Sequence, residues 1–536
     1  MRTKLFSLFI IFFFQFLILN SAFSQAFQRT YGGTRSETGT CIQQTLDGNY
    51  IISGMAGSFT NGYNDAYLLK IDPTGNLLWS KTYGGTGNEY CYYVSTCTDG
   101  GFIMTGSTDS LSSGNGDLFL IKTDSDGNHQ WSATVGGTGG DYGWYVLQAD
   151  DGGFIVSGFS NSFGNGSWDG YIVKTNSAGT LQWTKVFAGT GGDELYGMNK
   201  TKDNGYIITG KTSTNSFGSS DIWLIKLNSN GDTTWTRQYG KATEDAGNAV
   251  KQTKDGGYII AGDSHTYANL GAHRAALVKT DSLGEMQWAK VFGSFPGSEV
   301  AYDVIQDSAN GYYVLGTTGN FGNGGLDIFL VRTDSIGGLK WAKTYGNTGN
   351  DDAWLFQQTS DGGFIIVAAT SSFGAGQFDV YVIRTDSSNV TVCNDTRPDP
   401  LDTIAPLLDT TWSAMISGGT GVNFAITVTN ANTQTFDPCL VSIEETNSSD
   451  VEVNVYPNPS NGKIQVAVAG SSGSQYKSNS YRIEIYNAFG EKVYRSLITE
   501  NLLPITINLS DKPCGIYFYK VESSDETIAT GKLIIE

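Results

Sequence analysis

The sequence predicts an all-β protein: a seven-bladed β-propeller of four-stranded blades, then a small C-terminal β-sandwich. Three observations predict it. Six tryptophans, Trp79, Trp131, Trp183, Trp235, Trp288 and Trp341, recur at spacings of 52 or 53 residues. Between them apolar residues alternate with period 2, and Gly, Asp and Asn punctuate the runs. Gly supplies 69 of 536 residues, and charged residues are 16% against a usual ~25%. That composition excludes coiled coil and acidic disorder.

Residues 1–24 read as a secretory signal peptide. Arg2 and Lys4 form a positive start, Leu5 to Leu19 an apolar run, and Ala22-Phe23-Ser24 a small-residue cleavage site. The run falls short of the ~20 residues that span a bilayer. No Cys follows the site to accept a lipid, and no transmembrane segment is expected after signal removal. The net charge is -19, which repels polyanions, so nucleic acid is not an expected partner.

Residues 25–388 carry the repeat. Each unit holds four short strands, A to D. Strand A follows a Tyr-Gly-Gly-like turn, as at Tyr83-Gly84-Gly85, and opens on an acid. Asp-Gly-Gly, as at Asp255-Gly256-Gly257, turns the chain into an apolar strand B such as Tyr258-Ile259-Ile260-Ala261. Asp-Gly between two strands favours a tight hairpin. A Gly/Ser-rich loop leads to strand C, as in Asp221-Ile222-Trp223-Leu224-Ile225-Lys226, and strand D carries the Trp. Four strands per repeat of this length mark a propeller. Strands A, B and C occur seven times, but Trp-bearing D strands only six. The seventh unit stops at Arg384-Thr385-Asp386. Phe27-Gln28-Arg29-Thr30-Tyr31-Gly32-Gly33 aligns with Trp79-Ser80-Lys81-Thr82-Tyr83-Gly84-Gly85. The N-terminal strand is therefore expected to close the last blade, with Phe27 in the Trp slot. An open stack would leave both terminal strands unpaired.

The Lys/Arg-x-Asp-x-x-Gly-x-x-x-Trp run, as at Lys279 to Trp288, resembles the hairpin of quinoprotein-type propellers. The whole repeat, residues 27 to about 388, resembles bacterial β-propeller repeats of secreted proteins. The resemblance implies the fold and says little of function. The quinoprotein cofactor site uses adjacent cysteines, which this chain lacks. The Asp box of glycosidases spaces its residues more closely than Asp281, Gly284 and Trp288.

Residues 389–445 read as a linker with short strands. Arg397-Pro398-Asp399-Pro400 and Ala405-Pro406 break the pattern, and residues 422–429 offer one strand. Residues 446–536 form a new β-domain with strands at short spacing, as in a sandwich. It contains Val455-Tyr456-Pro457-Asn458-Pro459-Ser460-Asn461-Gly462, Tyr486-Asn487-Ala488-Phe489-Gly490, Gly515-Ile516-Tyr517-Phe518-Tyr519 and Gly531-Lys532-Leu533-Ile534-Ile535-Glu536. This block resembles the type A C-terminal sorting domain of the type IX secretion system of Bacteroidetes. The resemblance implies the secretion machinery as partner through residues 446–536. It also implies a protein that is secreted, extracellular or attached to the outer cell surface.

The six cysteines do not form a dense disulfide framework. Cys91 and Cys97 share one strand, ~20 Å apart, too far to bridge. Cys393 with Cys439, and Cys41 with Cys91, stay open as pairs.

Candidate functional residues come from comparing the seven copies. The long B–C loops crown one face, where binding residues concentrate. One column there is acidic in every copy: Glu37, Glu89, Asp141, Asp193, Asp245, Glu299 and Asp351. It reads as a carboxylate ring able to hold a cation, or as seven loop braces accepting backbone N–H bonds. A second column, Asp65, Asp117, Asp169, Asp221, Asp327 and Asp379, reads as strand-start bracing. Blade five departs from it with Arg274, and gathers Asp263, His265, Tyr267 and His273. His with Asp can ligate a metal or move protons; the alternative is a drifted surface loop. Trp168, expected to be exposed, and the loop residues Phe59, Phe163, Phe217, Phe321 and Phe373 can stack on sugar rings or anchor loops. Asp124-Ser125-Asp126-Gly127-Asn128 resembles the start of a calcium loop, but sister turns such as Asp72-Pro73-Thr74-Gly75-Asn76 lack the second acid, which favours a plain turn. No nucleophile-base set is visible and no cofactor is evident, a divalent cation excepted.

The expected function is a secreted or surface binding module for glycan or protein ligands. The alternatives are a carbohydrate-active lyase or hydrolase with its site on the loop face, and a purely structural surface protein.

Overall fold

In the computed structural model, residues 26–60, 63–110, 115–165, 167–241, 243–265, 273–293, 297–389 and 391 are described. So are the strand segments 395–396, 402–404, 408–410, 420–423, 427–430 and 434–436. C-terminally, residues 451–456, 460, 462–470, 480–487, 492–499, 505–513, 515–523 and 526–535 are described. Residues 1–24, Tyr267, Cys393 and Cys439 lie outside them. The chain divides into two compact units, Met1–Cys439 and Leu440–Glu536.

The first unit repeats a four-stranded antiparallel sheet. The first sheet runs β2 (Glu37–Gln44), β3 (Tyr50–Ala56), β4 (Asp65–Ile71) and β5 (Leu77–Gly84). The second is β6 (Glu89–Thr96), β7 (Phe102–Thr108), β8 (Asp117–Thr123) and β9 (His129–Gly136). The third is β10 (Asp141–Gln148), β11 (Phe154–Ser160), β12 (Asp169–Thr175) and β13 (Leu181–Phe187). The fourth is β14 (Asp193–Lys200), β15 (Tyr206–Thr212), β16 (Asp221–Leu227) and β17 (Thr233–Gly240). The fifth is β18 (Asp245–Gln252), β19 (Tyr258–Ser264), β20 (Arg274–Thr280) and β21 (Met286–Phe292). The sixth is β22 (Glu299–Gln306), β23 (Tyr312–Thr318), β24 (Asp327–Thr333) and β25 (Leu339–Tyr345). The seventh joins β26 (Asp351–Gln358), β27 (Phe364–Thr370) and β28 (Asp379–Arg384) to β1 (Phe27–Gly32), which pairs antiparallel with β28. Among the described residues there is no helix, and the repeated sheets are consistent with a propeller.

Burial follows strand position. Third strands such as β4, β8 and β16 are buried along their whole length, whereas fourth strands such as β5 and β17 alternate. A strand buried on both faces reads as a continuous apolar run, which is why Asp221 to Leu227 scarcely alternates.

The repeat motifs are contacts between and within sheets. Trp79 lies against the turn of the next sheet, where a Cβ on Gly127 would come within 2.7 Å of its ring. Gly127 also has φ 72°, a conformation that favours glycine. The Tyr83 hydroxyl donates to the Gly127 carbonyl at 2.6 Å, and the Tyr31 hydroxyl to that of Gly75 at 2.5 Å. Phe27 meets Gly75 as Trp79 meets Gly127. An acid of the turn between the first and second strands takes an ion pair from the basic residue of the third strand in every sheet, with Asp307 placed two positions earlier in its turn than the others. Lys70–Asp47, Lys122–Asp99, Lys174–Asp151, Lys226–Asp203, Lys279–Asp255, Arg332–Asp307 and Arg384–Asp361 span 2.7–2.9 Å.

The segment expected as a linker holds six short strands, each paired with an outer strand of a sheet. β29 (Asp395–Thr396) pairs with β25, β30 (Asp402–Ile404) with β21, and β31 (Leu408–Thr410) with β17. β32 (Thr420–Asn423) pairs with β9, β33 (Thr427–Asn430) with β5, and β34 (Gln434–Phe436) with β1. The segment thus visits sheets six, five, four, two, one and seven in turn, and belongs to the first unit.

The second unit has two sheets. One orders β35 (Val451–Tyr456), β36 (Lys463–Gly470) and β39 (Ile505–Asn508). The other orders β38 (Lys492–Thr499), β37 (Ser480–Asn487), β40 (Gly515–Ser523) and β41 (Glu526–Ile535). Ile464, Val466 and Ile507 of the first share a core with Ile483, Ile485, Val521 and Leu533 of the second. Tyr517 and Tyr519 of the Gly-x-Tyr-x-Tyr run are both buried there, as period-2 alternation requires.

Cys41, Cys91 and Cys97 are free and buried. Cys41 and Cys91 do not form the bridge left open for them. The Cys41 thiol instead approaches the Val94 carbonyl at 3.3 Å, and burial pushes its pKa up to about 12.

Candidate ligand-binding site

The site is built by one backbone irregularity repeated seven times. Each first strand has a β-bulge three residues after its opening acid, at Thr40, Tyr92, Trp144, Tyr196, Asn248, Tyr302 and Trp354. A bulge leaves one residue unpaired and re-aims its side chain. All seven bulge residues border a single cavity of about 370 Å³.

Five of the seven bulge residues are aromatic, in two arcs. Tyr92 stacks on Trp144 with ring centroids 4.4 Å apart, and Trp144 meets Tyr196 at 5.5 Å. Tyr302 stacks on Trp354 at 6.0 Å. Asn248 and Thr40 separate the arcs. Phe159, Glu194, Lys211, Glu244, Asp263 and His273 also line the cup. Lys211 sits 3.5 Å from Glu194 and 3.6 Å from Glu244. Burial pushes the Tyr92 and Tyr302 hydroxyls up to about 12, so both stay neutral hydrogen-bonding groups.

Residues further along the first strands carry a polar network. The Tyr93 and Tyr145 hydroxyls are 2.5 Å apart, and Gln43 donates to Tyr93 at 2.9 Å. Lys251 lies 3.8 Å from Asp303. Burial opposes the Lys251 ammonium, but Tyr145 and Asp303 beside it push its pKa up, so it stays charged.

The fifth sheet contributes the histidines. Asp263 lies on β19, His265 just beyond it, and His273 just before β20. His273 Nδ1 is 2.7 Å from Asp263 Oδ2 and 2.7 Å from His265 Nε2. The Asp263 hydrogen bond pushes the His273 pKa up, while burial and His273 push that of His265 down. Arg274 is buried, and donates to the carbonyls of His273 and Gly297 at 2.8 and 2.7 Å and to Glu299 at 3.2 Å. It holds the backbone at His273.

The first acidic column is buried throughout. Glu37, Glu89, Asp141, Asp245 and Asp351 accept the backbone N–H four residues earlier, from Gly33, Gly85, Gly137, Lys241 and Asn347, at 2.7–3.0 Å. Asp193 accepts from Thr214 at 3.0 Å, and Glu299 from Asn320 at 2.6 Å. These bonds brace the loops. In the second column, Asp221 and Asp327 accept backbone N–H bonds from Phe217 and Asn323 at 2.9 and 3.1 Å. Trp168 is half-buried rather than exposed, with its ring edge-on to Phe159 and Tyr142, each 5.4 Å away. Phe163 and Phe373 anchor loops against Tyr171 and Tyr381, at 5.6 and 5.5 Å.

The aromatic bulge column escapes a motif search because Thr40 and Asn248 interrupt it. Its signal is the fixed step of three residues from the acidic column.

Among the described residues no helix is long and apolar enough to cross a membrane. Part of the chain is similar to the regulatory protein FlaEY of Caulobacter vibrioides, with 26% identity over 167 residues. That match covers 27% of this chain and 17% of the relative, so the chain spans only about a sixth of that protein's length. The secretion system C-terminal sorting domain family matches residues 454–536. The tail therefore marks this protein for export by type IX secretion to the cell surface or the extracellular space, with the secretion machinery as its partner.

Proposed function

We propose that the seven sheets close into a seven-bladed propeller, and that its axial cup binds glycans outside the cell. Two observations support closure. The first strands neighbour one another in the cyclic order β2, β6, β10, β14, β18, β22, β26 and back to β2. The N-terminal β1 also supplies the fourth strand of the seventh sheet.

The aromatic bulges carry the ligand reading. Flat indole and phenol faces suit the C–H faces of sugar rings, while Glu194, Glu244, Asp263 and Lys211 offer partners to hydroxyls. A concave site of about 370 Å³ fits one or two sugar units and is in the usual range for small ligands. It is unlike the broad patch, roughly 800 Å² a side, of a protein interface. Export to the surface puts the cup where glycans are.

The test is isothermal titration of the full chain with a polysaccharide and oligosaccharide panel. At least one glycan should bind saturably. Trp144→Ala and Trp354→Ala should each weaken it by about tenfold or more, the loss of roughly 1.4 kcal/mol of contact. Binding untouched by both substitutions would place the site elsewhere. Saturable binding of a protein and of no glycan would overturn the ligand class. Consumption of the bound glycan would make the cup a lyase or hydrolase site.

A further inference from the structure

We propose that Asp263, His265 and His273 form a site for a divalent transition metal, with zinc the best match, at the edge of the aromatic cup. Among the described residues, these three place a carboxylate oxygen and two ring nitrogens within 4.8 Å of one another. Asp263 is buried, and the histidines are half-buried.

His273 Nδ1 lies 2.7 Å from Asp263 Oδ2, and His265 Nε2 lies 2.7 and 2.8 Å from the two ring nitrogens of His273. One cation at this point would accept a lone pair from each of the three side chains. Imidazole nitrogens with one carboxylate suit zinc, copper or nickel, whereas calcium and magnesium prefer oxygen. Two His and one acid is also a ligand set that leaves a fourth zinc position open.

The surroundings hold the ligands in place. Asp263 and His265 flank Ser264 at the end of β19. The backbone N–H of His265 donates to the Glu244 carbonyl at 2.9 Å. Arg274 grips the His273 carbonyl at 2.8 Å and is tied to Glu299. Blade five is where Arg274 replaces the aspartate of the second column, so the copy that departs from the repeat also carries the ligands. Asp263 and His273 line the cup, so an open metal position there would meet a bound sugar hydroxyl or carboxylate. That last step rests on the glycan reading; the metal site does not.

The test is titration of the full chain, without a histidine tag, with Zn²⁺, and with Co²⁺ followed by visible absorption. A single equivalent of Zn²⁺ should bind, and Co²⁺ should give the intense bands of a low-coordinate nitrogen–oxygen site. Asp263→Asn, His265→Gln and His273→Gln should each lower Zn²⁺ affinity at least about tenfold, the least that loss of even an outer partner costs. Each should melt, without metal, within a few degrees of the parent, which separates lost ligands from lost fold. Ca²⁺ in excess should not displace Zn²⁺. Absence of saturable Zn²⁺ binding, or binding unchanged in all three variants, overturns the site. Trp144→Ala should leave Zn²⁺ affinity unchanged, so failure of the glycan reading and failure of the metal site are separate results.

Discussion

Single residues show how the repeat tolerates buried charge. Asp65 at the start of β4 and Glu89 at the start of β6 point at one glycine. A Cβ on Gly84 would sit 2.4 and 2.5 Å from their oxygens. Gly136 stands likewise between Asp117 and Asp141, and Gly346 between Asp327 and Asp351. Burial, and then the neighbouring acid, push Asp65 and Asp327 up to about 7. Burial pushes Asp221 and Asp379 up to about 6. In the unfolded chain these groups titrate near ~3.9. The folded state therefore holds protons that the unfolded state has released, and stability falls as pH rises from about 4 to 7. The turn acids act oppositely. Against their burial, hydrogen bonds from threonine and lysine hold Asp203 and Asp255 down to about 2. Their contribution is present above about pH 4 and fades towards pH 2. The melting temperature is therefore expected to peak near pH 4–5, and Asp65→Asn should raise it at pH 8 and flatten the fall above pH 5. A melting temperature that rises from pH 5 to pH 8 would refute this account.

At the scale of the element, the turn and the bulge differ in how visible they are. The turn glycine of the third hairpin position is plain in the sequence, since Gly75, Gly127, Gly179, Gly231, Gly284 and Gly337 recur with the Trp. Their positive φ values and their contact with the preceding sheet's aromatic explain why. Gly127→Ala should destabilise the chain by about 1–3 kcal/mol, from left-handed strain and the clash with Trp79. Chemical denaturation of the full chain measures this, and a neutral result would mean that the turn relaxes freely. The bulge residues were in view in every copy but carried no mark of their own. A bulge is a fact of pairing register, and no single strand states where its partner slips. The Lys–Asp and Arg–Asp pairs across the sheets were equally hidden, although most of the partners were named within the repeat motifs. The histidine cluster was legible because the fifth repeat departs from its six sister copies. Trp168 stands out for the same reason, and its ring packs on Phe159 and Tyr142.

At the scale of the whole molecule, the six short strands β29 to β34 act as a belt. The sequence hid it because its strands are two to four residues long, too short for a periodic signal, and their bonds are made by backbone. Among the described residues, the belt strands pair with the outer strands of six sheets. Outer strands otherwise present unpaired N–H and C=O groups, a template for association between chains. The belt covers six of those edges in a single pass. In the proposed ring its route runs opposite to chain order and ends on β1, the strand that completes the seventh sheet. It would therefore hold that closing strand from outside while β28 holds it from inside. A chain ending at residue 391 tests this against the full chain. Its outer-strand amides, in β5, β9, β17, β21 and β25, should exchange faster than in the full chain. The same chain should melt lower and self-associate more at high concentration. Exchange in these strands unchanged from the full chain would show that the belt protects no edge, and the edges would then need another explanation for staying unpaired.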